Sequence, residues 1–157
     1  MDNLRFLWLK VDGFRNPLLQ NWWVPWNPCQ QSHWKGIEDR GFEICSFVLK
    51  GEIEHYDTLL DRWITLKEGD VQVIKAGKGI SHSEKLKKGS EIFQIWFDPN
   101  LNESLYEEAK YSDYKSDNFS IIKQDLRETK IISDINNQID LKSESIEIYQ
   151  HTLSIGK

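Results

Sequence analysis

From Phe42 to Pro99 the chain is cut into short strand-like runs by glycine-containing turns, and this punctuation limits the fold more than any other feature. The runs are "FEICSFVL" (42–49), "EIEHYD" (52–57), "RWITL" (62–66), "VQVIKA" (71–76), "ISHSEKL" (80–86) and "EIFQIWFDP" (91–99). Lys50-Gly51 separates the first two, and 52–57 alternates as a hairpin partner would. "KEGD", "GKG" and "KKGS" mark later turns. Turns about every eight to twelve residues predict an antiparallel all-β sandwich or barrel, not βαβ units.

After Pro99 the texture becomes polar and acidic, and 100–118 reads as a surface linker. Strand patterns return at 119–123, 130–135 and 145–156. They are too sparse for a second independent core, so 119–157 is expected to extend the 1–99 barrel or cover a partner subunit. Exposed strand edges invite pairing, which predicts a homo-oligomer. A length of 157 residues suits one domain with its own core. A net charge of −5 argues against a nucleic-acid surface, which needs clustered Lys and Arg. No apolar run approaches a membrane span, and the first residues lack a signal-peptide pattern. Two cysteines, Cys29 and Cys45, point to a reducing cytoplasm and not to a disulfide framework. Trp22, Trp23, Trp26 and Trp34 crowd one segment, as core, interface or cavity cover.

"GKGISHSE" (77–84) carries the main chemical signal. On a strand, His82 and Glu84 share one face while Ser81 and Ser83 share the other. An imidazole and a carboxylate on one face form half of a metal site, or an ordinary solvent-facing pair.

Three segments together decide in favour of a site. "RGFEICSFVLKGEIEHYDT" (40–58), "EGDVQVIKAGKGISHSE" (68–84) and "FQIWFDP" (93–99) resemble the N-terminal cupin barrel of the pirin family. The family pattern runs H-P-H-R-G-F-E, then G-E-I-E-H-x-D-S, then G-D-V-Q-x-x-x-A-G-x-G-x-x-H-S-E. The resemblance implies a jelly-roll barrel and an iron site. It also implies either quercetinase-like dioxygenase activity or a metal-dependent regulatory partnership. In the family, iron is held by both histidines of H-P-H together with the histidine and glutamate of H-S-E. His82 and Glu84 match the second pair.

The first pair is replaced. Aligned through Arg40-Gly41-Phe42-Glu43, the H-P-H positions carry Ile37-Glu38-Asp39. Three outcomes are open. A remnant set of Asp39, His82 and Glu84 would favour Mn(II) or Fe(II) and bind it weakly. Alternatively the metal is lost, Ile37 makes part of the cavity apolar, and the barrel takes a small organic ligand or a protein partner. In the third, His33 supplies a ligand. His55 and Asp57 share a strand face, as pocket lining or as a structural hydrogen-bonded pair. Glu43 shares a face with Asp39 if that strand is regular, as a polar cavity residue, a partner for Arg40 or Arg62, or a proton acceptor. Cys45 reads as a small core residue. The leading expectation is a pirin-like cupin with a degenerate metal site that binds a small molecule or partner. The enzyme alternative is a divergent Fe/Mn dioxygenase acting on an aromatic or enol substrate, and a third class is an assembly role.

Overall fold

The computed structural model describes residues 3–11, 22–25, 37–136, 138–143 and 145–154. Its strands are β1 (Asn3–Val11), β2 (Trp22–Pro25), β3 (Ile37–Asp39), β4 (Glu43–Lys50), β5 (Glu52–Asp57), β6 (Trp63–Lys67) and β7 (Val71–Lys75). There follow β8 (Ile80–Leu86), β9 (Glu91–Phe97), β10 (Lys110–Tyr114), β11 (Ser120–Gln124), β12 (Arg127–Ser133) and β13 (Ile146–Ser154). The one described α-helix, α1, is a single turn at Leu101–Ser104. Among the described residues, all strand pairing is antiparallel.

The chain divides into two compact units, one of residues 16–116 and one of residues 1–15 together with 117–157. The second is a four-stranded sheet ordered β1-β13-β12-β11. Here the structure corrects the sequence reading: β1 was expected within the 1–99 barrel, but it pairs with β13 along its whole length, from Asn3 opposite Ser154 to Val11 opposite Ile146. Buried Ile132, Ile146 and Ile148 give that unit its apolar face.

The 16–116 unit holds its strands in two sheets, ordered β10-β7-β4-β9-β2 and β3-β8-β5-β6. Among the described residues these strands form a two-sheet jelly-roll sandwich, not a closed ring. The sheets meet face to face. Val48 and Ile92 of one pack with Ile53 and Leu66 of the other, and all four are buried. Burying an Ile or Leu side chain is worth about 1.5–3 kcal/mol, so this cluster is a main source of the unit's stability.

The stretch 100–118, read from sequence as a linker, contains α1, β10 and a 3-10 turn at Ser116–Asn118. β10 extends the larger sheet by pairing with β7. The chain can return this closely because of Gly77, whose φ is +54°. A Cβ there would lie 2.4 Å from the Glu107 carbonyl oxygen. Gly41, at φ +75°, ends β3 and starts β4 in a different sheet. Asp39 and Glu43 therefore do not share one regular strand. Among the described residues, no helix is long and apolar enough to cross a membrane.

Candidate metal centre

Register builds the site. β5 and β8 pair so that His55 lies opposite Glu84 and Asp57 opposite His82. Side chains directly opposite in an antiparallel pair have Cβ atoms about 4.5–5.5 Å apart. With period-2 alternation, these four residues form a two-by-two block on one face. Along β8, burial alternates as this requires: Ile80, His82 and Glu84 are buried, while Ser81 and Ser83 are half-buried. β3 lies on the other side of β8, with Ile37 opposite His82 and Asp39 opposite Ile80. The result is an interior of three carboxylates and two imidazoles.

Asp57 is a fixed support. Its Oδ1 accepts from the backbone N–H groups of Leu59 and Leu60 at 2.9 and 2.7 Å, closing the turn after β5. Its Oδ2 lies 2.9 Å from His55 Nε2. A carboxylate only accepts, so Nε2 is the donor and carries the proton. That leaves Nδ1 of the neutral ring with a lone pair. Nδ1 is buried without a hydrogen-bond partner, and the nearest carboxylate, Glu84 Oε1, is 3.9 Å away. Burial works against the charged ring and is the largest influence on it, but Asp57 and Glu84 outweigh it and raise the His55 pKa above 6.5. At 3.9 Å the Glu84 contribution is charge attraction, since the distance is beyond hydrogen bonding.

Glu84 is held by amides of the facing sheet. Its Oε1 accepts from Gln72 Nε2 at 2.7 Å and Gln94 Nε2 at 3.0 Å, and Gln94 also reaches Oε2 at 3.1 Å. Gln72 Nε2 donates to Ser46 Oγ, and Gln72 Oε1 accepts from the Tyr111 hydroxyl at 3.4 Å. Tyr111, from β10, stacks on His55 with ring centroids 4.9 Å apart and planes 15° apart. Burial first, then nearby carboxylates, pushes the Tyr111 phenol pKa up, so it stays a neutral donor. Sequence reading missed Gln72, Gln94, Ser46 and Tyr111. The signal for the first three was a polar residue at an alternate position of an otherwise apolar strand.

His82 Nε2 and Asp39 Oδ2 lie 3.0 Å apart, yet neither has an aligned hydrogen-bond partner, and His82 Nδ1 has none either. His55, His82 and Glu84 each offer a ligand atom, all within 4.8 Å of one another, the only such group among the described residues. The chemistry of this donor set fits a metal. Two imidazoles and a carboxylate with further positions open suit a transition-metal ion.

Glu43 lies elsewhere. On β4, Ile44, Ser46 and Val48 face the interior, as the Ser46–Gln72 bond and the Val48 cluster show. Glu43 therefore faces the other way with Cys45. That removes it from the group as a proton acceptor. The Cys45 thiol is buried and free, and burial, reinforced by the Glu43 charge, pushes its pKa well above 9.0. Cys29, His33, Trp26 and Trp34 lie outside the described residues, as do the side chains of Ile37, Trp22 and Trp23.

Residues 32–97 match the family model described as Pirin. This segment of the chain is similar to the pirin family. A putative quercetin 2,3-dioxygenase of Pseudomonas aeruginosa is 44% identical over 63 residues, covering 39% of this chain and 27% of that protein. Pirin-like protein 2 of Arabidopsis thaliana is 39% identical over 82 residues, covering 47% and 24%. The Escherichia coli quercetin 2,3-dioxygenase is 35% identical over 66 residues, covering 40% and 28%. The chain spans about a quarter of the length of the curated relatives it matches. Among solved structures, a quercetin 2,3-dioxygenase from Acinetobacter baumannii has the same fold, with a TM-score of 0.68 at 20% identity over 88% of this chain and 52% of that one. The chain thus shares the fold of that structure, with His82 and Glu84 at the positions of the H-S-E pair and Ile37 and Asp39 where the pirin pattern has histidines.

Proposed function

We propose that this pirin-like cupin binds a divalent transition metal, Fe(II) or Mn(II), between its two cupin sheets, and takes a small oxygen-bearing organic ligand beside it. The observation that carries the reading is that His55 Nδ1 and His82 Nδ1 are buried in one interior with no hydrogen-bond partner, while His82 Nε2 meets Asp39 Oδ2 only as an ion pair at 3.0 Å. A buried polar atom left unpaired costs about 1–3 kcal/mol, and such atoms in one interior call for a common partner. A divalent cation also offsets the three buried carboxylates, Asp39, Asp57 and Glu84. Mixed imidazole and carboxylate donors suit Fe(II) and Mn(II). With the H-P-H pair replaced, binding is weaker than by four family ligands.

When bound, the metal supplies a Lewis acid with positions open to an oxygen ligand. The chain's own residues do the rest. Gln72 and Gln94 hold the Glu84 carboxylate, Asp57 sets the His55 tautomer, and the neutral Tyr111 ring covers His55. A second reading, a metal-dependent dioxygenase acting on an aromatic or enol substrate, draws on relatives described as quercetin 2,3-dioxygenases. Oxygen uptake with a flavonol by Fe(II)-loaded protein separates it from binding alone. The binding itself is tested by equilibrium dialysis against Fe(II) and Mn(II), with metal analysis of unmodified protein and His82→Ala. One saturable ion per chain, lost in the variant, is the expected result. Equal uptake by both proteins contradicts it.

A further inference from the structure

We infer that His55 has become a metal ligand in this chain, so that the ion sits on His55 Nδ1, a ring nitrogen of His82 and the Glu84 carboxylate. The proposal rests on the metal-binding reading above and names its ligand set. Replacement of the first histidine pair leaves the family site one-sided, with only His82 and Glu84 at matching positions. His55 restores a second imidazole from the opposite neighbour of β8, since β5 pairs with β8 on one edge and β3 on the other.

Four observations single out His55. Its ligand atom, one from His82 and one from Glu84 lie within 4.8 Å of one another. Ligand atoms around one ion with bonds of about 2.1 Å stand about 3.0–4.2 Å apart, so contraction by about 0.6 Å brings the three into range. His55 Nδ1 is buried and has no hydrogen-bond partner. Its other nitrogen meets Asp57 Oδ2 at 2.9 Å. Metal-ligating histidines donate their second N–H to a carboxylate in this manner, which fixes the tautomer and turns the lone pair toward the ion. Finally, both rotations of the ring are restrained, by Asp57 at one edge and by stacking on Tyr111. Asp39 adjoins this set on the Nε2 side of His82. Two imidazoles and one carboxylate with open positions form the donor set of non-haem Fe(II) sites, and imidazole equally accepts Zn(II).

Zn(II), which is diamagnetic, reports the ligands directly. Nitrogen-15 NMR of the unmodified protein labelled at its four histidines follows each ring through a Zn(II) titration. Signals are assigned with His33→Gln, His82→Gln and His151→Gln. The expected result is that His55 Nδ1 and one nitrogen of His82 move together to metal-bound shifts, while His55 Nε2 stays protonated toward Asp57. In parallel, His55→Gln should bind Zn(II) at least about tenfold more weakly by calorimetry. If His82 shifts while His55 does not, or if His55→Gln binds within threefold of the unmodified protein, the assignment of His55 is overturned and the metal-binding reading stands. If no histidine shifts, the metal-binding reading itself falls. Should His55→Gln fail to fold, the titration of the unmodified protein decides.

Discussion

Replacing Asp57 with Asn should destabilise the protein by an amount that depends on pH. In the native structure Asp57 and His55 are both fully buried and meet at 2.9 Å. Asn keeps the Oδ1 acceptor used by Leu59 and Leu60 but sets an amide donor against His55 Nε2–H. A hydrogen bond to a charged group is worth about 1.5–3 kcal/mol, which sets the expected loss. The sign follows from linkage. The His55 pKa is raised above 6.5, so its stabilisation is fully present below 6.5 and fades as pH rises through the native value. For Asp57, burial works against the carboxylate and is the largest single influence. The His55 bond and the Leu59 and Leu60 N–H groups outweigh it and lower the pKa below 3.8. The stabilisation from Asp57 is therefore present above 3.8 and fades as pH falls through the native value. Both contributions are whole between 3.8 and 6.5. Urea denaturation of metal-free Asp57→Asn and unmodified protein at about pH 5 and about pH 9 measures the difference. The expected penalty is about 1.5–3 kcal/mol at the lower pH and smaller at the higher. An equal penalty at both would refute the charged His55–Asp57 pair.

Three further outcomes follow from the same geometry. Gly77→Ala combines a φ of +54° with a Cβ 2.4 Å from the Glu107 carbonyl, and should cost at least about 2 kcal/mol in a denaturant titration. Cys45, buried with its pKa pushed up, should resist thiol-alkylating reagents in native protein and react only in denaturant, as peptide mass spectrometry will show. The double change Ile37→His and Asp39→His should tighten Fe(II) binding at least about tenfold by calorimetry, because position 37 is in register with His82 and each histidine adds an imidazole donor.

The strands from β4 to β9 were legible in sequence because alternation and glycine turns are local signals. β10 was not: "KYSDY" lies in an acidic stretch and gains its order from pairing with β7. The β1–β13 pair escaped for a related reason, since nothing in either segment names its distant partner. Period 2 brought His82 and Glu84 together on one face, and likewise His55 and Asp57. What it lacked was the β5–β8 register that sets His55 against Glu84. Treating 39–43 as one strand misplaced Glu43, because the left-handed turn at Gly41 hands the chain from one sheet to the other.

The proposed ion would be held by the buried imidazoles and carboxylates between the two sheets of the 16–116 unit. An anaerobic calorimetric titration of chelator-treated, unmodified protein with Fe(II) tests it most directly. Saturable binding of one ion per chain is the expected result. No saturable heat, in protein shown by circular dichroism to be folded, would contradict it.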